Sequence, residues 1–485
     1  GLKAVVWTDV IQSVLLLIAG LVVAFLTFRA VGGWGEMMAL DQAAGGADKM
    51  HLYLPMNHEK LPWTGVFTGL MFMHCFYWGT NQFIVQRALG AQSGTQARIG
   101  IITAGYLKLL IPFFAIAAGV AAVYVFRRER PGVVIAPDTA FTEIVKLVIP
   151  LGYGIIGVIA AGLIGAILSS IDSMMNSAAT IVTVDIYKRH IKRDATDREM
   201  ILVGRLSIVA FVVVAALMAI FVLDPNSKEN FFLQIVNYQN YLTPGILVAF
   251  LLGMFWKRGT ATAAFVAIVA GVVFSAAVQF GYDNTFGDKY LGENRAVYAV
   301  VTNQIPLASL KPDQLPENMK RMTIDERMIF ITQKQEALSP VAFYLGPTLN
   351  FFHRVVGVII LCALVYVIVS LCGKVDAKKA QLTWTELGGH DHRTLRNLVL
   401  AILVSVCFFA ILGWMMYREL LSPTAAAVIG FTWTLSMFLG GIILSSQTAK
   451  NPSKKSSEPV SLLRDDRLYA GVLCSLAVFM MFYFA

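Results

Sequence analysis

Charged residues are scarce in this chain: 14% of its 485 residues are Asp, Glu, Lys or Arg, whereas 57% are hydrophobic. Soluble domains carry about 25% charged residues, so this composition excludes an ordinary soluble protein. The sequence also lacks the segments of alternating hydrophobicity that build a membrane β-barrel. Because only helices and closed barrels satisfy the backbone in lipid, the composition predicts an all-α polytopic membrane protein.

Cysteine is also rare, and the five cysteines do not have the spacing of a zinc or redox motif. They lie in or at the end of apolar runs, so we interpret them as packing residues. The chain contains no G-x-S-x-G elbow and no membrane H-E-x-x-H motif, which argues against an intramembrane hydrolase; we predict that the protein is not an enzyme. No signal peptide is visible, and Gly1 directly precedes an apolar run. We therefore expect the sequence to begin within a longer protein.

Apolar runs long enough to cross a hydrocarbon core of about 30 Å recur along the chain. There are eleven, at residues 4–28, 65–85, 99–126, 150–186, 201–223, 232–256, 261–281, 355–373, 397–416, 425–446 and 469–485. The bias of Lys and Arg between the loops places the N-terminus inside and Ala485 outside. The net charge of +9 resides in short loops, so it does not indicate a nucleic-acid partner. We predict a multi-pass protein of the plasma (cell inner) membrane, surrounded by lipid, with no obligate protein partner.

One apolar run contains an unusual number of polar residues, in the segment GAILSSIDSMMNSA at 165–178. Residues three and four apart share a helical face, which places Ser169, Asp172, Ser173, Asn176 and Thr180 together. An Asp at the bilayer centre costs at least about 2.5–3.5 kcal/mol, so this face should meet the bundle interior, water or an ion. Hydroxyl and carboxylate oxygens without His or Cys favour an alkali cation. Alternatively, the serines hydrogen-bond to their own helix or to neighbouring helices.

A second acid, Asp9, lies in the first apolar run close to Thr8 and Gln12. It could cap a helix or lie at the membrane interface. If its helix packs beside the serine-rich face, Asp9 and Asp172 could instead share one cation.

Five segments, in order, resemble signatures of the sodium:solute symporter family, which includes the sodium/glucose cotransporters. They read GLKAVVWTDVIQ, YWGTNQFIVQRALGAQ, GYLKLLIPF, AAGLIGAILSSIDSMMNSAATIVTVDIYKR and YLTPGILVAFLLGMFWKRGT. The resemblance implies an inverted-repeat transporter fold of five plus five helices, with the first repeat largely missing and about 11 transmembrane helices present. It covers a transporter core at 1–281. The composition of the remaining segments predicts an external loop at 282–352, rich in proline and charge, and C-terminal transmembrane helices at 353–485 with a Ser/Lys-rich cytoplasmic linker at 447–467.

The resemblance implies two sodium sites. The conserved one would use the backbone carbonyl of Ala166 and the hydroxyls of Ser169 and Ser170. The other, found in some members, would take Asp9, Ser169 and Ser173, with Asp172 standing where a hydroxyl residue is usual. The additional carboxylate could tighten a cation or couple protons instead.

Residues that contact the transported solute are also implied by the resemblance. In similar sugar transporters the positions of Tyr77 and Trp78 form a gate, the position of His74 contacts substrate, and the position of Lys108 helps bind sugar. Ordinary aromatic packing and a structural ion pair are the respective alternatives.

Three further polar residues complete the predicted substrate set: Gln82, Gln234 and Asn240. The glutamine that sugar-binding members carry eight positions before Pro244 is Val236 here, which weakens the assignment to a sugar. Pro244 and Gly245 interrupt this run and could free backbone carbonyls, or they could form a simple packing kink.

Together these features predict sodium-coupled symport of a small polar organic solute by alternating access, with Na+ as the coupling ion and a sugar or polyol as the favoured solute. The alternatives are a solute-gated sensor or channel on the same scaffold, and a symporter for a non-sugar solute.

Overall fold

A computed structural model describes most of the chain. It covers residues 2–43, 49–50, 52–133, 135–136, 139–150, 152–221, 231–310, 314–384, 392–448 and 465–485. These residues form helices and contain no β-strand beyond one isolated bridge between Leu54 and Pro62. The linker predicted at 447–467 lies almost wholly outside the described residues.

The helices are numbered here in chain order. They are α1 (Leu2–Val31), α2 (Trp34–Gln42), α3 (63–79), α4 (Gln82–Leu89), α5 (Gly94–Glu129), α6 (Ala140–Val148), α7 (Ile155–Ile191), α8 (Asp197–Phe221), α9 (Phe231–Phe255), α10 (Ala261–Thr285), α11 (Lys289–Glu293), α12 (Arg295–Val301), α13 (Glu317–Lys320), α14 (Ile324–Ala337), α15 (Pro340–Leu345), α16 (Phe351–Cys372), α17 (Ala377–Ala380), α18 (His392–Tyr417), α19 (Pro423–Thr448) and α20 (Asp466–Tyr483). Three of them contain a π-helical stretch: α3 over Val66–Leu70, α5 over Pro112–Ala117 and α7 over Ile181–Ile191.

Within the described residues, nine helices are long and apolar enough to cross a membrane. They are α1, α5, α7, α8, α10, α16, α18, α19 and α20. Two of the eleven predicted spans are not among these nine helices. The run at 65–85 is not one helix, because α3 ends at Gly79 and α4 begins at Gln82. Helix α9 is a continuous 25-residue helix, but amide side chains make its first half polar. The prediction of an all-helical membrane protein is confirmed.

The chain forms two units, and the first contains residues 1–51, 82–231 and 396–485. Within it, α1 packs along α7 at close range. A Cβ added to Gly162 would lie 2.9 Å from the Cβ of Ala19 and 3.0 Å from the carbonyl oxygen of Leu15. One turn further along, Gly165 faces Gln12. Small residues on one helix let the backbones approach, and this approach sets the register between α1 and α7.

Enlarging Gly162 should separate these two helices. We expect Gly162→Leu to lower the stability of the protein by about 1–3 kcal/mol, because the added atoms have no space against α1. Gly157→Leu on the same helix is the control, since a Cβ there meets nothing within 4 Å. Thermal unfolding in detergent measures both; equal effects of the two substitutions would contradict the close packing.

Asp41 anchors the segment that follows α1. Its side chain is 2% exposed and accepts hydrogen bonds from the hydroxyl of Tyr124 (2.6 Å) and from the backbone N–H groups of Lys49 and Met50. Burial by itself would raise the pKa of Asp41, but these hydrogen bonds to the carboxylate outweigh it and hold the pKa below its usual value of 3.8.

The lowered pKa has a defined effect on stability. A carboxyl whose pKa is depressed by folding contributes stability that is complete above its unfolded value, about 3.9, and is lost as the pH falls through the lower folded value. We expect Asp41→Asn to destabilise the protein by about 1–3 kcal/mol at neutral pH. The difference from wild type should shrink below about pH 3.9. Glu36→Gln, at an exposed position of α2, is the control and should have little effect in the same melts.

The C-terminal helix α20 packs against α19 and α5 within the first unit. The guanidinium of Arg98 pairs with the carboxylate of Asp466, and the hydroxyl of Tyr106 donates to the backbone carbonyl of Tyr469 at 2.8 Å. Gly105 lies against Leu473, which brings α5 and α20 close together.

The second unit comprises residues 52–81 and 232–395. Within it, α9 and α10 touch through glycine: a Cβ on Gly245 would lie 2.6 Å from the carbonyl oxygen of Ala267, and one on Gly271 would lie 2.9 Å from the backbone nitrogen of Gly245. Cys362 of α16 lies beside Gly271, so the three helices share one interior.

The external loop predicted at 282–352 contains folded structure. Helices α11 to α15 surround an apolar cluster that includes Leu291, Val297, Val301 and Met319. The hydroxyl of Tyr298 donates to the carbonyl oxygen of Ala342 at 2.9 Å. We call residues 286–350 the cap.

Candidate functional site

Asp9, Ser169 and Ser173 come together where α1 crosses α7, in the first unit. The hydroxyl of Ser169 donates to Asp9 Oδ1 at 2.6 Å. The hydroxyl of Ser173, one turn further along, donates to the carbonyl oxygen of Ser169 at 2.7 Å. Because Gly162, Gly165, Ser169 and Ser173 share one helical face, the glycines that admit α1 also direct the two serines towards it. We call Asp9, Ser169 and Ser173 the oxygen cluster.

Arg87 of α4 also belongs to this site. Its Nη2 donates to Asp9 Oδ2 at 2.6 Å and to the Oγ of Ser173. The side chain of Asp9 is 14% exposed and that of Arg87 is 36% exposed. An ionised carboxylate in a membrane helix is costly unless a positive charge faces it, and the guanidinium supplies that charge.

The oxygen cluster has the chemistry that a hard monovalent cation requires: one carboxylate and two hydroxyls, with no sulfur or imidazole. In the described residues, no group of three or more His, Cys, Asp or Glu side chains could hold a metal ion. In the arrangement seen here, the guanidinium of Arg87 contacts Asp9 and Ser173, two of the three members of the cluster.

The other predicted ion ligands are not members of the oxygen cluster, although Ala166 and Ser170 lie beside Ser169 on α7. Ser170 is exposed, and its hydroxyl donates to the carbonyl oxygen of Ala166 at 3.1 Å, so these two residues lie next to each other on α7. Asp172 is also exposed and does not join Asp9. On this helical face Ser173 is buried, whereas Ser169 and Asn176 are half-buried and Asp172 and Thr180 are exposed.

The predicted substrate residues are distributed over both units. In the second unit, the rings of Tyr77 and Trp78 meet edge to face, with centroids 5.2 Å apart and planes at 82°. Both rings are exposed, at 37% and 45%, and His74 on the same helix is exposed as well. The two aromatic side chains and the imidazole thus lie on one side of α3.

Asn240 is completely buried in the second unit, and neither its Oδ1 nor its Nδ2 has a hydrogen-bond partner among the described residues. Gln234, earlier on the same helix, is half-buried. In the first unit, Gln82 is half-buried and Lys108 is exposed. The structure thus groups His74, Tyr77 and Trp78 on one helix and leaves the other four residues at separate positions.

Comparison with known proteins agrees with this architecture. A profile of the sodium:solute symporter family matches residues 1–271, which is more than half of the chain. The chain belongs to the sodium:solute symporter family. It is therefore a multi-pass membrane protein of a transporter family, as the membrane-crossing helices also indicate.

Individual relatives of this symporter-family chain include two curated cotransporters. The sodium/glucose cotransporter of Vibrio parahaemolyticus is 36% identical over 296 residues, covering 58% of this chain and 54% of that protein. Sodium/myo-inositol cotransporter 2 of Rattus norvegicus is 30% identical over 298 residues, covering 56% of this chain and 44% of that protein. The chain thus spans about half the length of the curated relatives it matches.

A solved structure shares the fold. The substrate-bound, outward-open structure of a Na+-coupled sialic acid symporter superposes with a TM-score of 0.52 at 21% sequence identity, covering 77% of this chain and 63% of that chain. The predicted transporter fold is confirmed at this level.

Sequence reasoning missed Arg87, because a basic residue at the end of an apolar run resembles an interfacial charge. The sequence contains only indirect evidence that Arg87 is the partner of Asp9. Asp9 lies in a membrane helix and requires a positive partner, and Arg87 lies within one of the five family segments.

The contact between Asp9 and Arg87 should be energetically coupled. In a double-mutant cycle with Asp9→Asn and Arg87→Gln, we expect an interaction energy of about 0.5–3 kcal/mol in thermal unfolding, because each single substitution leaves a partly buried charge without its partner. The same cycle on the exposed pair Lys320 and Glu317 is the control and should give less than about 1 kcal/mol. Additive effects at Asp9 and Arg87 would contradict the observed contact.

Proposed function

We propose that this chain forms part of a sodium-driven symporter that carries a small polar organic solute, a sugar or polyol, across the plasma (cell inner) membrane. The observation that carries the proposal is the oxygen cluster with a cation on it: Asp9, Ser169 and Ser173, contacted by the guanidinium of Arg87. The cluster already neutralises one positive charge in the membrane. It can therefore exchange that charge for a sodium ion without a change in net charge.

Replacement of the Arg87 guanidinium by sodium would also affect helix α4, which carries Arg87. In sequence, α4 follows directly on the segment that carries Tyr77 and Trp78. When sodium takes the place of the guanidinium at Asp9, α4 loses a charged attachment to α1 and α7. Coupled transport requires that ion and solute favour the same conformational state, and release of α4 is a way for the ion to influence the segment that carries the aromatic pair.

The conserved sodium site implied by the family resemblance adds the carbonyl oxygen of Ala166 and the hydroxyl of Ser170. The two lie next to each other on α7, adjacent to Ser169. We propose that Ser169 is shared between this site and the oxygen cluster, as the resemblance implies.

The choice of solute is supported by the chemistry of the predicted substrate residues and by the relatives. Exposed aromatic rings suit the apolar faces of sugar and cyclitol rings, while imidazole, amide and ammonium groups suit hydroxyls. The relatives named above are a glucose and a myo-inositol cotransporter, and both of those solutes are polyhydroxylated rings.

Uptake into proteoliposomes that contain the complete gene product tests the proposal. With labelled glucose and myo-inositol, we expect accumulation of at least one solute only under an inward sodium gradient. Ser173→Ala should raise the half-saturating sodium concentration about tenfold, the factor given by the loss of one ordinary hydrogen bond or ligand contact. Arg87→Gln should lower that concentration, because it removes the competing cation.

Ser207→Ala is the matched control, since that hydroxyl donates only to the carbonyl oxygen of Val203 within α8. Uptake that does not depend on sodium would contradict the proposal. A solute-gated current without accumulation of label would identify a sensor or channel instead. A rise in the half-saturating sodium concentration in Arg87→Gln would show that Arg87 supports the ion site and does not compete with the ion.

A further inference from the structure

Arg354 is an almost completely buried charge in the second unit. It lies in the first turn of α16, is 2% exposed, and reaches the side chains of both α9 and α10. Its Nη2 donates to Asn237 Oδ1 at 2.7 Å, and its Nη1 donates to the hydroxyl oxygen of Tyr241 and to Gln279 Oε1, each at 3.2 Å. The guanidinium carbon lies 4.3 Å from the centre of the Tyr241 ring.

All three acceptors are neutral. Among the described residues, no ion pair involves Arg354. The nearest acid in the network is Asp283, which is exposed and accepts two hydrogen bonds from Gln279 Nε2, at 3.0 and 3.1 Å. An amide therefore separates the carboxylate from the guanidinium. The N-terminal end of the 22-residue helix α16 adds a further partial positive charge at this position.

Besides the amide of Asn240, hydrogen-bond donors on Arg354 and Ser275 have no acceptor among the described residues of this unit. Within the part of the chain that the structure describes, the Nε of Arg354 and the Oγ of Ser275 have no hydrogen-bond partner, although Ser275 is completely buried. A serine within a helix usually donates to the carbonyl four residues earlier, and Ser275 does not. Ser275 lies on α10 one turn from Gln279, and one turn in the other direction lies Gly271, which packs on α9 and α16. The residue thus belongs to the same three-helix interior as Arg354.

We propose that Arg354, Ser275 and Tyr241 bind a small monovalent anion of the chloride type. The unmatched groups of Arg354 and Ser275 are hydrogen-bond donors, and the unmatched charge of Arg354 is positive and single. A cation would be repelled by the guanidinium. A water molecule could accept from the donors but would leave the charge without a counterion. A divalent anion would exceed the one positive charge present.

Thermal unfolding of the purified 485-residue chain in detergent tests this site directly. Sodium chloride is titrated against sodium gluconate, so that sodium concentration and ionic strength stay constant. A ligand that binds only the folded state raises the melting temperature in a concentration-dependent way. We expect a saturable rise with chloride in wild type and no such rise in Arg354→Gln. Arg130→Gln in the first unit is the control, because Arg130 is half-buried but is already paired with the carboxylate of Glu143 at 2.6 Å, and its substitution should leave the chloride response unchanged.

Ser275→Ala separates ligand binding from folding. Since the hydroxyl makes no hydrogen bond with the described part of the chain, its removal should leave the melting temperature in gluconate unchanged or slightly higher. The chloride midpoint should increase about tenfold, the effect of one lost hydrogen bond. The proposal is overturned if wild type shows no saturable chloride response, if Arg354→Gln keeps it, or if Ser275→Ala responds as wild type does. These readouts do not depend on transport, so failure of the proposed symport would leave them interpretable.

Discussion

The contact between Asp9 and Arg87 imposes the strongest physical constraint on the first unit. A carboxylate in an apolar helix must be neutralised, and here a guanidinium from another helix does so at 2.6 Å. The hydrogen bond from Ser169 to the same carboxylate requires α1 and α7 to approach closely, and Gly162 allows that approach by having no side chain. Packing and electrostatics therefore depend on each other at this site.

The second unit uses the same combination of close glycine packing and a buried charge. Gly245 and Gly271 bring α9 and α10 into backbone contact, and one to two turns along, Arg354 is held by neutral oxygens from both helices. In the first unit the charge has a carboxylate as its direct partner, whereas Arg354 has none among the described residues. The site at Arg87 is therefore neutralised by the protein itself, whereas the site at Arg354 keeps a positive charge that attracts an anion.

The sequence was sufficient to predict the helical membrane class and most of the spans. These predictions depend on composition and on helical periodicity, which are local properties. The position of Asp172 could not be predicted in this way, because a five-residue face at a 3.6-residue period is broad, and only the packing of α1 decides which part is buried. Arg87 and Arg354 were not predicted because their partners lie far away in sequence. The helices of the cap were not predicted, because they are short and lie in a segment rich in proline and charged residues.

The π-helical stretch at the end of α7 affects how residues on that helix can be compared. A π-turn closes its hydrogen bonds five residues apart instead of four, as in the bond from the backbone N–H of Lys192 to the carbonyl oxygen of Tyr187 at 2.8 Å. The angular position of each residue after Thr180 therefore lags behind that of a regular α-helix. A helical wheel drawn from Ser173 to Lys188 would assign the basic residues to the wrong side. Cysteine cross-linking or spin-label pairs placed in this region should be chosen from coordinates and not from residue spacing.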